Sequence, residues 1–188
     1  MQRTEMELLE IYDQYYDRAK KFIVRLVKDE WIAEDLIQET FIRVQKNYNS
    51  VRDPSKLSPW IFRIAYNLCQ DHFKIKKKVN ADMGRLEERL LAPIGEIPLL
   101  KELEQSQMGA CVQEQMNLLP ESQRIVLILY DFMGFKHAEI AEILNISMEN
   151  AKVRLHRARK GLKSILKEKC TFHMDERNVL VCEPVAER

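Results

Sequence analysis

Two apolar stripes separated by a three-residue turn constrain this chain most. Ile140, Ala141, Ile143 and Leu144 fall on one face of a helix. Asn145 tolerates the left-handed conformation that ends a helix, and apolar Ile146 can plug the corner. Ser147 is placed to cap the next helix, with Glu149 in a first turn that the helix dipole favours. Ala151, Leu155, Ala158, Leu162 and Ile165 then recur at helical spacing as a second buried stripe. The small Ala141 lets the two helices cross closely. The pattern predicts a helix-turn-helix, whose second helix can enter a nucleic-acid major groove.

The charges on that second helix distinguish a groove reader from a solvated face. Opposite the stripe lie Lys152, Val153, His156, Arg157, Lys160 and Lys163. From Lys152 to Lys169 there are eight basic residues and one acid, Glu168. A solvated face interleaves both signs, so this one is read as a nucleic-acid surface.

The rest of the chain is compatible with an all-α protein of two small helical domains. It has 188 residues with only five Gly and six Pro. No apolar run approaches a membrane span, and the acidic start "MQRTEMELLEIYDQYY" does not read as a signal peptide, so a cytoplasmic location is expected. A net charge of +1 hides segregation, because residues 82 to 121 hold eight acids and three bases. The expected organisation is a first helical domain over 7–78, an acidic linker over 79–111, a second domain over 112–169 and a tail over 170–188. In the first domain the stripes are Tyr12, Tyr15, Ala19, Phe22, Ile23 and Leu26; then Ala33, Leu36, Ile37, Phe41 and Val44; then Ile61, Ile64, Ala65 and Leu68. Ser58-Pro59 reads as the start of the third helix, with Ser58 as its cap.

The blocks "AEDLIQETFIRVQKN" and "PWIFRIAYNLCQDHFKIKKK", followed by "LPESQRIVLILYDFMGFKHAEIAEILNISMENAKVRLHRARKGLK", resemble a bacterial extracytoplasmic-function RNA polymerase sigma factor of the sigma-70 superfamily. The resemblance spans roughly residues 7 to 166. It implies two helical domains, regions two and four, and the work of an alternative sigma factor. Such a protein binds core polymerase, directs promoter-specific initiation and melts the promoter.

The resemblance also implies roles for individual residues. Asp35, Gln38 and Glu39 would dock on the clamp helices of the polymerase beta-prime subunit, and region four on the beta flap. Val51 and Arg52 in the loop, with Arg63, Tyr66, Asn67 and Gln70 on the third helix, would handle the minus-ten element, and Lys74 and Lys76 would track its phosphates. Asn67 matches the family position whose amide reads a flipped base, and an amide both donates and accepts. Val51 stands where the family has a bulky aromatic. Trp60 is open to a stacking role but sits beside Ile61 and Ile64, which favours the core.

Lys152, Arg154, His156 and Arg157 would face the minus-thirty-five element, with Val153 against a thymine methyl. Arg159, Lys160 and Lys163 would hold phosphates. His156 is equally readable as a surface residue. The acidic linker would mimic a transcript in the polymerase channel, or serve as a tether. An anti-sigma factor is an expected partner.

The tail carries Cys170, His173 and Cys182, three soft ligands whose spacing fits no strong zinc signature, within an alternating pattern that predicts a small hairpin. A metal or redox role there competes with simple packing; otherwise no cofactor is expected. Cys69 falls on the buried side of its helix. Catalysis is not expected: there is no Gly-rich phosphate loop, and His72, His137, His156 and His173 are scattered with no nucleophile beside them. The competing function is a free-standing helix-turn-helix regulator that binds an operator as a dimer.

Overall fold

The computed structural model describes residues 2–82, 112–174 and 180–184. Most of the acidic linker therefore lies outside the described residues. The described chain is all-α apart from one hairpin. Three long helices come first: α1 (Gln2–Val27), α2 (Glu30–Asn47) and α3 (Leu57–Asp82). A helical turn over 112–116 precedes α4 (Glu121–Leu127), which runs on into a π-helical turn, Ile128–Phe132. Helices α5 (His137–Leu144) and α6 (Met148–Lys169) come next, then the strands β1 (Cys170–Met174) and β2 (Leu180–Pro184).

Contacts divide the described chain into two compact units, 2–82 with 128–151 and 112–127 with 152–184. The middle of the expected 112–169 domain thus belongs to the first unit.

Local chemistry sets the joints of that unit. Helix α1 ends where Lys28 adopts φ 57°, and Asp29 caps α2 by accepting from the Ile32 N–H at 3.1 Å. Before α3, the cap is Asp53 and not Ser58. Its carboxylate accepts from the Ser55 N–H at 2.9 Å and the Ser55 hydroxyl at 2.7 Å, holding the turn Pro54–Lys56 that leads into the helix. Those bonds keep Asp53 below its ordinary carboxylate pKa. Ser58 lies within the first turn of α3, its hydroxyl oxygen buried without a protein partner.

The core joins Ala19, Phe22, Ile23 and Leu26 to Ala33, Ile37 and Val44, and to Ile61, Ala65, Leu68 and Cys69. A cluster of Ile11, Val44 and Ile61 carries half-buried Tyr15, Phe41, Trp60 and Ile64 on its edge, so Trp60 packs and is not a free platform. Five expected core positions fall short of full burial: Tyr12 is exposed, and Tyr15, Leu36, Phe41 and Ile64 are half-buried. Tyr12 is 41% exposed because its ring stacks on Tyr16 at 4.6 Å and meets Phe41 edge-on at 5.0 Å, leaving its polar end toward water. Thr40 is fully buried instead of Phe41, satisfied because its hydroxyl donates to the Leu36 carbonyl at 2.7 Å. Phe62 is fully buried, whereas Ile64, placed in the core by the stripe, is only half-buried.

Phe62 owes its burial to residues far along the chain. The return segment 128–144 lies against α1 and α3. Phe135 meets Phe62 edge-on at 4.7 Å, and Phe62 in turn lies 5.3 Å from Phe22. The π turn, with Met133 N–H donating to the Ile128 carbonyl at 2.9 Å, and Gly134 at φ 72° fold Phe135 back into this position.

In the second unit, Leu119 packs on α6 over Gly161, where a Cβ would stand 3.0 Å from the Leu119 Cδ2. The expected hairpin is present and antiparallel, pairing Cys170 with Pro184, Phe172 with Cys182 and His173 with Val181.

Candidate nucleic-acid interface

The turn before α6 is built as its residues require. Asn145 ends α5 in the left-handed region (φ 52°, ψ 51°), and the Ile146 N–H donates back to the Ala141 carbonyl at 3.0 Å. Ser147 then caps α6, its hydroxyl accepting from the Asn150 N–H at 3.1 Å. At the other end of α5, the Lys136 N–H donates to Glu139 at 2.6 Å, half of a capping box. Ile140, Ile143 and Leu144 are buried, and Ala141 is half-buried.

Helix α6 has two faces of opposite character. Ala151, Leu155 and Ala158 are buried, while Leu162 and Ile165 are half-buried. Lys152, Val153, His156, Arg157, Arg159, Lys160 and Lys163 are exposed. Val153, 46% exposed among cations, is an apolar contact of the kind a thymine methyl takes. Arg154 is half-buried on the flank of the stripe, and it and Arg159 are already engaged within the protein. That sets both apart from Arg157 and Lys163.

Helix α3 carries a second polar stripe. Arg63, Asn67 and Lys74 are exposed at helical spacing, with Tyr66 and Gln70 half-buried beside them and engaged within the protein. Asp71 holds Lys74 in an ion pair at 3.1 Å. Lys76 is exposed but falls on the opposite side of the helix from Asn67; Lys78, eleven residues after Asn67, falls on the Asn67 side. The 3.6-residue period carried that signal, and the composition of "KIKKK" concealed it. In the preceding loop, the Val51 N–H donates to the Tyr48 carbonyl at 3.0 Å, leaving Val51 half-buried and Arg52 exposed.

On α2, Asp35 and Gln38 are exposed, whereas Glu39 is half-buried and paired with Arg43 at 2.8 Å. Trp31 and Ile42 were missed by sequence reasoning. Trp31 is 87% exposed and Ile42 43%, and both fall on the stripe of Asp35 and Gln38. A tryptophan two positions before the buried Ala33 was the available signal. Beside this face Lys20 pairs with Glu34 at 2.5 Å and Tyr16 donates to Glu34 at 2.8 Å. These bonds hold the Glu34 carboxyl below its ordinary range, while burial and the neighbouring Glu34 raise Tyr16.

Of the expected Cys170, His173 and Cys182 set, the side chains of His173 and Cys182 lie outside the described residues. Among the described residues no group of three His, Cys, Asp or Glu is placed to hold a metal, and no helix is long and apolar enough to cross a membrane.

Two family models match the chain: sigma-70 region 2 over residues 11–79 and sigma-70 region 4 over residues 109–162. The ECF RNA polymerase sigma factor SigM of Bacillus subtilis is 33% identical over 161 residues, covering 85% of this chain and 95% of its own. The RNA polymerase sigma factor SigZ of the same organism is 30% identical over 172 residues, covering 90% and 93%. Among solved structures, the sigma factor RpoE in complex with the anti-sigma factor NepR from Bartonella quintana superimposes with a TM-score of 0.67 at 24% identity, over 89% of this chain and 98% of that one. CnrH in complex with the cytosolic domain of CnrY gives 0.62 at 17% identity, over 87% and 90%. These two likenesses speak for the fold.

Proposed function

The chain belongs to the extracytoplasmic-function sigma factors of the sigma-70 family, and from that premise we propose how its surfaces divide the work of an alternative sigma factor. It binds core RNA polymerase and promoter DNA and directs transcription initiation. The α6 face from Lys152 to Lys163 reads the minus-thirty-five element. Arg157 and Lys152 engage base edges, Val153 a methyl, and Lys160 and Lys163 the phosphates. The α3 stripe of Arg63, Tyr66, Asn67 and Gln70, with Val51 and Arg52 before it, holds the opened minus-ten strand, and Lys74 and Lys78 run along its backbone.

The α2 stripe docks on the beta-prime clamp helices through Asp35, Gln38 and Glu39, with Trp31 as an apolar anchor, while region four meets the beta flap. The work is done without a cofactor and in the cytoplasm, where the polymerase is. An anti-sigma factor is its natural regulator, a reading supported by the structural neighbour RpoE, which is held by such a partner.

One observation carries the reading: a helix with a buried stripe and an exposed cationic face shares a chain with the polar α3 stripe. A free-standing dimeric regulator needs only the first of these. Co-purification separates the two. The chain is expected to bind core polymerase as a monomer, with Asp35→Lys weakening the complex. A dimer that binds duplex DNA specifically without core would contradict it.

A further inference from the structure

Residues 48–56, between α2 and α3, form a loop built from two tied turns. In the first, Tyr48–Ser50, the Ser50 hydroxyl donates to the Asn47 carbonyl at 2.6 Å and the Val51 N–H to the Tyr48 carbonyl at 3.0 Å. The Asn47 side-chain amide donates to the Arg43 carbonyl at 2.9 Å, which joins this turn to the end of α2. In the second, Pro54–Lys56, Asp53 accepts from both the N–H and the hydroxyl of Ser55, and the Lys56 N–H donates to the Asp53 carbonyl at 3.0 Å. Pro54 fixes its own φ. At the two ends of the loop, Tyr48 and Leu57 pack against the cluster of Ile11, Val44 and Ile61.

The chain between the turns is extended, with φ −84° and ψ 100° at Val51 and φ −107° and ψ 110° at Asp53. Extended backbone sends successive side chains to opposite sides, and here Val51 is half-buried while Arg52 is exposed. The aim of these two side chains is therefore set by the turns that flank them. Asp53 carries a charge that the task of this loop disfavours. It is exposed beside Arg52, and its sign is that of a DNA backbone. A carboxylate in that place weakens contact with a strand unless it does other work. Its hydrogen bonds to Ser55 are that work.

We propose that Asp53 is a positioning residue for promoter opening: through Ser55 it holds the second turn, and so fixes Val51 and Arg52 where the opened minus-ten strand arrives. The proposal rests on the sigma-factor function proposed for the chain. Asp53 itself touches no base. Ordering one free backbone residue costs about fivefold to thirtyfold in an equilibrium, and a loop held in advance avoids that cost when the strand is captured. Closed-complex binding runs through α6 and does not use this loop.

The test uses the full chain. Hydrogen exchange of amides in 51–56 is measured in the free protein. With purified core, closed-complex affinity and the rate at which minus-ten thymines become permanganate-reactive are measured on a promoter that depends on this chain and on its single-base minus-ten variants. Asp53→Ala is expected to speed exchange in 51–56 by about fivefold or more and to slow opening about as much. It is also expected to flatten discrimination among the minus-ten variants, with closed-complex affinity unchanged. Asp53→Asn keeps the acceptor without the charge, and Asn serves as well as Asp at a cap, so it is expected to return every readout at least to wild type. Ser55→Ala removes the hydroxyl and keeps the N–H. It is expected to move each readout the same way as Asp53→Ala but less, and it carries the comparison if Asp53→Ala misfolds.

Unchanged exchange or unchanged opening in Asp53→Ala overturns the proposal. Equal losses in Asp53→Asn and Asp53→Ala overturn it too, because they assign the effect to charge. A purely structural cap would lower closed-complex affinity and opening together, equally on every minus-ten variant, and that result also overturns it. Failure of the wild-type chain to open any promoter with core defeats the functional reading instead, and leaves the exchange result standing.

Discussion

Replacing Arg157 and Lys163 by alanine, one at a time, separates base reading from phosphate holding on α6. Both side chains are exposed, so neither substitution is expected to move stability by more than about 0.5 kcal/mol. Their places along the helix differ. Arg157 is nine residues beyond Met148 and Lys163 fifteen, about 14 Å and 23 Å along the axis. A major groove about 12 Å wide admits the first near the bases and leaves the second over the backbone.

Loss of Arg157 then removes a bidentate contact worth about 1–3 kcal/mol, and with it discrimination at one minus-thirty-five position. Loss of Lys163 removes one phosphate contact, lowering the salt slope by about 0.9, which is about 3.5-fold less weakening between 50 and 200 mM salt. The assay is competition binding of holoenzyme across single-base variants of the element at those two salt concentrations. Equal and sequence-independent weakening by both substitutions would refute the base contact at Arg157. No change from either would refute the groove altogether.

Asn67→Ala is expected to cut permanganate reactivity of minus-ten thymines about tenfold, the worth of one held base, while closed-complex binding persists; unchanged reactivity removes Asn67 from the strand site. Trp31→Ala is expected to weaken core binding about tenfold or more with no change in Tm, because the side chain is 87% exposed; titration of labelled chain with core measures it. Burial pushes the Cys69 thiol up to about 12, so this cysteine is expected to resist alkylation at pH 8 until the chain is unfolded, as peptide mass mapping would show. Lys20 and Tyr16 hold Glu34 below its ordinary pKa. Their support is present at neutral pH and lost as pH falls through the lowered value, so Glu34→Gln should flatten the acid limb of thermal stability, only slightly because the pair is partly exposed.

Features set by near neighbours were legible in the sequence. The left-handed Asn145, the Ser147 cap, the buried stripe from Ala151 and the tail hairpin each depend on residues a few positions apart, and each is present. Features set by distant partners were not. Phe62 is buried by Phe135 from another part of the chain, and no local period announces that. Ser58 looked like a cap because a proline comes after it, but the carboxylate of Asp53 reaches the turn first. Trp31 was passed over because hydrophobicity alone assigns tryptophan to the core, although its place two residues before the stripe residue Ala33 puts it on the opposite face. Within the candidate site, the cationic face of α6 was readable from spacing and Asn67 from the family resemblance; the side of Lys76 lay in the helical period but was passed over, whereas the engagement of Arg154 depends on the folded chain.

Run-off transcription on a promoter library, with purified core and this chain added separately and together, tests the central claim most directly. The account predicts specific start sites only when both are present, with transcription lost on changing either promoter element. Transcripts independent of the chain, or tight specific promoter binding by the chain without core, would contradict it.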